Sequence, residues 1–141
     1  MKELYKTIDH TADLGIELEA ETLKDLFEKA ALSLTHLILG EIPEQQEKAE
    51  TYKVEIKGED LSDLMMNWLS EVLYLFEGEK KITCGLHIDY IDSKRLTATL
   101  TLIRFDERKH EAQYEIKAVT YHQLDVTKKD GHWKARVIFD V

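Results

Sequence analysis

Leu61-Ser62-Asp63-Leu64-Met65-Met66-Asn67-Trp68-Leu69-Ser70-Glu71-Val72-Leu73-Tyr74-Leu75-Phe76-Glu77 decides the fold class of this chain. Leu61, Leu64, Met65, Trp68, Leu69, Val72, Leu73, Leu75 and Phe76 recur at three- and four-residue spacing, the period of a helix with one broad apolar face. Asp60 is a natural N-cap and Gly78 a natural stop, so a helix is expected over 61–77. A one-sided helix must bury its stripe against another layer. Such a stripe is core packing rather than a cofactor box.

The rest of the chain supplies that layer. Leu23, Leu26, Phe27, Ala30, Leu34, Leu37 and Ile38 repeat the helical period over 23–39. Thr22 and Asp25 stand three apart in a capping-box arrangement, and Gly40 closes the helix. Strands are expected at 3–9, 14–20 and around 52–56, then at 81–91, 94–104, 114–126 and 132–140. Ile16, Leu18 and Ala20 alternate with Glu17 and Glu19, and Leu96, Ala98, Leu100 and Leu102 alternate with threonines, as half-buried strands do. Asp92-Ser93 and Lys128-Lys129-Asp130-Gly131 read as hairpin turns. The order ββαβαββββ predicts an α+β fold: a two-layer sandwich of a mostly antiparallel mixed sheet with two helices packed on one face. One proline and six glycines leave no linker, so residues 1–141 form a single domain.

Charged residues make up 33% and apolar residues 43% of the chain, which fits a globular protein and excludes disorder. A single cysteine, Cys84, rules out an internal disulfide and a thiolate zinc cluster. It shares the register of Ile82, Leu86 and Ile88 and reads as a small core residue. No apolar run is long enough for a signal or a membrane span, so a cytoplasmic protein is expected. The net charge of −9 is uneven. Residues 1–103 hold 11 Lys/Arg against 21 Asp/Glu, and residues 104–141 hold 8 against 7. That acidity disfavours direct, tight nucleic-acid binding and suits a basic protein partner, or only keeps the chain soluble.

Two acidic landmarks stand at opposite ends. His10-Thr11-Ala12-Asp13 follows the first strand, and Asp140-Val141 closes the last. If the terminal strands pair, Asp13, Asp140 and the α-carboxylate of Val141 converge as hard oxygen ligands for a divalent cation. Oxygen donors favour Ca²⁺, Mg²⁺ or Mn²⁺ over Zn²⁺. Asp13 taken alone is also an ordinary turn residue, and Asp140 a solvated carboxylate. His10 is open to three readings: metal ligand, general base or hydrogen-bonded structural residue. His36, His87 and His132 have no partner visible in the sequence. Lys117-Ala118-Val119-Thr120-Tyr121-His122 carries polar residues on both faces, as an edge or half-exposed strand does. There is no P-loop, dinucleotide turn, nucleophile elbow or H-E-x-x-H motif, so nucleophilic and cofactor catalysis have no support.

The H-T-A-D run at 10–13 with Gly15-Ile16, the Leu26-Phe27-Glu28-Lys29-Ala30-Ala31 helix, Lys117–His122 and the closing Val137-Ile138-Phe139-Asp140-Val141 together resemble the archease family, in order and over the whole chain. The resemblance implies a small acidic protein, not itself an enzyme. Such a protein assists a GTP-dependent RNA ligase of the RtcB type in tRNA splicing and RNA repair, promoting guanylylation of the ligase histidine and repeated turnover. It also implies divalent-metal binding by Asp13, Asp140 and Val141. A basic and an acidic residue upstream of the last hairpin are linked to function in the family, and Lys117 and Glu115 are the nearest candidates. The alternative is a chaperone or a modulator of a tRNA-modifying enzyme such as a tRNA methyltransferase. A stand-alone metal hydrolase would need a general base, for which His10 is the nearby candidate.

Overall fold

The computed structural model describes residues 4–9, 13–45 and 48–141. Its elements are β1 (Lys6–Asp9), β2 (Asp13–Ala20), α1 (Leu23–Leu39), β3 (Glu50–Lys57), α2 (Leu61–Glu79), β4 (Lys81–Ile91), β5 (Arg95–Arg104), β6 (Ala118–Lys129) and β7 (His132–Asp140). The expected order and the α+β class both hold. The strands divide into two sheets, each wholly antiparallel: β1-β2-β7-β6 and β3-β5-β4. Helix α1 packs on β2 and β7 of the first sheet and on β4 of the second. Helix α2 packs on β6 of the first and on β3 and β4 of the second. Both sheets therefore share one helical layer, which a single periodicity per strand does not reveal.

Local chemistry sets the helix ends. Thr22 is extended at φ −125°, and its Oγ1 accepts from the Asp25 N–H at 3.0 Å. Gly40 takes the left-handed conformation at φ 77° and donates its N–H to His36 O at 2.7 Å. Asp60 caps α2 by accepting from the Asp63 N–H at 2.8 Å. Helix α2 does not stop at Gly78. It runs to Glu79, and Lys80 adopts φ 57° while donating to Phe76 O at 3.0 Å. Strand β4 starts at the next residue, so the reversal has to fall on Lys80 despite its Cβ.

The core holds the helices and sheets in register. Trp68 is fully buried, and its Nε1–H donates to Phe27 O at 2.9 Å, joining α2 to α1. Thr35 Oγ1 donates to Thr83 O at 2.8 Å, joining α1 to β4. The turn between β6 and β7 is Asp130-Gly131, with φ 51° and 78°. Two left-handed residues match the twist of a two-residue hairpin.

Strand β6 starts at Ala118, later than the expected 114. The preceding chain is held elsewhere: Gln113 N–H donates to Ile38 O at 2.6 Å, and Lys109 and His110 N–H fold back on Asp106 O. Strand β6 is an edge, as its polar faces suggested. It also carries a large bulge. Thr120 pairs with Ile138 and Asp125 pairs with Arg136, so five steps on β6 match two on β7. Gln123 within it sits at φ 52°.

Candidate functional site

Pairing β2 with β7 brings residues 127 positions apart into direct opposition. Asp13 is the Cα partner of Asp140, Leu14 of Phe139, Gly15 of Ile138, Glu17 of Arg136 and Glu19 of Lys134. Opposed residues share one face of the sheet, with Cβ atoms about 4.5–5.5 Å apart. Leu14 and Phe139, Ile16 and Val137, and Leu18 and Ala135 turn inward to the core. The outward set is Asp13, Gly15, Glu17 and Glu19 with Asp140, Ile138, Arg136 and Lys134.

That outward row is graded along the strands. At one end it is compensated: Arg136 Nε donates to Glu17 Oε1 at 3.0 Å, and Lys134 Nζ lies 3.6 Å from Glu19 Oε1. In the middle is an apolar step. A Cβ added to Gly15 would lie 2.7 Å from Ile138 Cδ1 and 3.2 Å from Ile8 Cβ, so a larger residue there would push the two isoleucines aside. At the far end stand Asp13 and Asp140, the one like-charged pair in the β2–β7 register. Like charges directly opposed across strands are destabilising. The other sheet has two such pairs of cations, Lys81 with Arg104 and Arg95 with Lys57. Each is offset by a neighbouring carboxylate: Glu50 Oε1 is 2.9 Å from Lys81 Nζ, and Glu55 Oε2 is 3.2 Å from Arg95 Nη1.

Asp13 is half-buried, while Asp140 and Val141 are exposed. Asp13 is the first residue of β2 rather than a turn residue, because its strand already pairs there with Asp140. Ala118 is the β6 partner of Asp140, and the Lys117 N–H donates to Asp140 O at 2.7 Å. Lys117 thus flanks the same end of the sheet, with its side chain exposed. Glu115 is exposed on the connection before β6, outside the strand pairing. His10, Thr11 and Ala12 lie outside the described residues. Among the described residues no three His, Cys, Asp or Glu side chains gather as a metal cage. The donor chemistry fits a hard cation held by two side-chain carboxylates, with coordination positions left for water or a partner.

The other marked residues resolve into structural roles. Cys84 is half-buried, and its Sγ lies 3.5 Å from Thr101 O. Burial pushes its thiol up, the wrong direction for a thiolate nucleophile. His36 Nδ1 lies 3.0 Å from Tyr5 Oη. His87 stands between Glu28 at 4.0 Å and Asp89 at 3.7 Å.

One contact was not read from the sequence. Tyr121, on the bulge of β6, donates its O–H to Asp63 Oδ1 at 2.8 Å across 58 residues. The Glu59 N–H donates to Asp63 Oδ2 at 2.8 Å, and these two donors hold the Asp63 carboxyl below the usual range. Polar residues on both faces of 117–122 were the only signal of that irregularity.

Comparison with known proteins finds relatives along nearly the whole chain. A family model described as "Archease protein family (MTH1598/TM1083)" matches residues 5–141. The protein archease of Methanosarcina barkeri is 34% identical, over 97% of this chain and 95% of its own. That of Pyrococcus furiosus is 34% identical, over 97% and 98%. The solution structure of Methanobacterium thermoautotrophicum protein 1598 matches with a TM-score of 0.77 at 32% identity, covering 97% of this chain and 98% of that one. The crystal structure of an archease from Thermotoga maritima, described as a possible chaperone, matches with a TM-score of 0.66 over the full length of both chains. Its identity is 24%, so that likeness is one of fold. No helix among the described residues is long and apolar enough to cross a membrane.

Proposed function

This chain belongs to the archease family, and from that premise we propose that it is a cytoplasmic activating partner of a GTP-dependent RNA ligase of the RtcB type, serving tRNA splicing and RNA repair. The observation that supports this most directly is the opposition of Asp13 and Asp140 at one end of the first sheet. In this reading the two carboxylates and the oxygens of Val141 hold Ca²⁺, Mg²⁺ or Mn²⁺. The cation supplies a concentrated positive charge at that end and accepts further oxygen ligands. The chain's own residues do the positioning. The β2–β7 pairing sets the two aspartates directly opposite each other, Gly15 and Ile138 keep the next step apolar, and Lys117 adds a cation beside Asp140. The assembled end then docks on the ligase and favours guanylylation of its histidine.

The experiment is a ligase guanylylation assay with labelled GTP at several Mn²⁺, Mg²⁺ and Ca²⁺ concentrations. Wild-type protein is expected to raise the rate and extent of labelling. Asp140→Asn and Lys117→Ala, both exposed and away from the core, are expected to lose most of that stimulation. No stimulation by wild type would sink the ligase reading. Equal stimulation by Asp140→Asn would show that this end of the sheet does not carry it.

A further inference from the structure

An open cleft of about 870 Å³ lies where the end of the β3–β5–β4 sheet meets the turn after β5. It is on the sheet that does not carry Asp13 and Asp140. Five cations line it, namely Lys48, Lys81, Arg104, Arg108 and Lys109, against the trend of a chain whose net charge is −9. Its carboxylates are Glu50, Asp106 and Glu107. Two of these are already engaged. Glu50 holds Lys81 at 2.9 Å, and Asp106 Oδ1 accepts from the Arg108 N–H at 3.0 Å and from Arg108 Nε at 3.5 Å. Setting those two pairs aside leaves Lys48, Arg104 and Lys109 against Glu107 among the lining residues, a surplus of positive charge that Glu79 near Lys81 and Asp106 near Lys109 reduce without cancelling.

Two further observations bear on what the surplus is for. Arg104 stands directly opposite Lys81 across the β4–β5 pairing, a like-charge opposition that costs stability. Glu50 offsets Lys81 but leaves Arg104 without a carboxylate of its own among the described contacts. The turn that carries Arg108 and Lys109, next to Arg104, is also held in place. Phe105 packs edge-on to Phe76 with ring centroids 5.4 Å apart and lies 5.8 Å from the His110 ring. His110 Nδ1 accepts from the Asp106 N–H at 3.0 Å, and the Phe105 N–H donates to Lys80 O at 2.8 Å. Cations on a rigid turn lose less entropy when they close on an anion. A guanidinium matches the paired oxygens of a phosphate, and ammonium groups add point charges beside it.

We propose that this cleft is a phosphate-binding site, in which Arg104, Lys48 and Lys109 take the phosphate oxygens of a nucleotide or an RNA strand. The acidity of the rest of the chain keeps the affinity modest and confines binding to low ionic strength. Binding is measured on this protein alone, so the proposal does not depend on ligase activation.

The test titrates the full chain with three probes at low salt: a labelled single-stranded oligoribonucleotide of about ten nucleotides, GTP, and inorganic phosphate. Anisotropy reads the first, and calorimetry the other two. At least one probe is expected to bind. For the oligoribonucleotide, the slope of log affinity against log salt should be about −2, since each neutralised phosphate on a single strand contributes ~0.7. Arg104→Glu with Lys109→Glu is expected to weaken binding at least about tenfold, and Arg104→Gln with Lys109→Gln by less. Asp140→Asn is expected to bind as wild type does. Both cations are exposed and Arg104 opposes Lys81, so the variants should melt at or slightly above the wild-type temperature. Preference for the oligoribonucleotide assigns the site to a phosphodiester strand, and equal binding of GTP assigns it to a terminal phosphate. No binding of any probe, or wild-type binding by the charge-reversed variant, overturns the proposal.

Discussion

Asp140 shows how a single residue can work for and against the fold at once. It is the direct cross-strand partner of Asp13, and like charges at opposed strand positions repel. Neutralising it therefore has two opposite effects. Asp140→Asn should melt slightly higher than wild type without metal, because the repulsion is gone. It should bind Ca²⁺ at least about tenfold more weakly, because ligand charge sets affinity at oxygen sites. Thermal melts with chelator and calorimetric titration of the metal-free protein measure the two effects. A variant that keeps wild-type affinity would remove Asp140 from the donor set. The chemistry of these two residues was legible in the sequence, since hard carboxylates beside strand ends are visible as letters. Their adjacency was legible only as a condition, because β2 and β7 pair across more than a hundred residues and no local pattern names a partner strand.

At the scale of elements, what could be read was whatever the chain determines locally. Both ends of α1 and the start of α2 follow from Thr22, Gly40 and Asp60, each acting on backbone groups within four residues. The Asp130-Gly131 turn is equally local. The end of α2 and the bulge of β6 were not legible, because each is set by a distant partner: β4 and Phe105 for Lys80, and Asp63 for Tyr121. The Tyr121–Asp63 contact ties the bulge to the first turn of α2, and it predicts a pH effect. Asp63 is held below the ordinary carboxylate range first by the Glu59 N–H and then by the Tyr121 O–H. A carboxyl lowered on folding adds stability above its unfolded value, near pH 4, and loses it as pH falls through its folded value. In Tyr121→Phe one donor is gone, so the Asp63 midpoint should rise toward the ordinary value. The acid loss of stability attributable to Asp63 should shrink accordingly. Carboxyl NMR titration of both proteins reads the midpoint directly. An unmoved midpoint would mean that Tyr121 does not hold Asp63 in solution, and that the bulge is free of α2.

For the whole molecule, the division of the seven strands among the described residues into two sheets raises the question of what makes them one unit. Among the described residues the sheets share no strand, so the helices must couple them. Each helix touches both sheets, and Trp68 joins the helices through its bond to Phe27 O at the buried centre. Trp68→Phe removes that donor and leaves part of the indole volume empty. The bond is worth about 1 kcal/mol net, and the residual cavity adds to it, for a loss of about 2–3 kcal/mol. For a chain of this size the midpoint should fall by roughly 5–10 °C. The variant also leaves Trp133, on β7 of the first sheet, as the only tryptophan. Its fluorescence then reports the first sheet alone, and amide exchange along β5 reports the second. If the helical layer couples the sheets, both probes should shift together and keep a common midpoint. Two separated midpoints would show that the sheets unfold independently and that Trp68 stabilises only the layer between them. Coincident midpoints would show that the β2–β7 pairing, which sets Asp13 opposite Asp140, is lost only with the whole fold and not ahead of it.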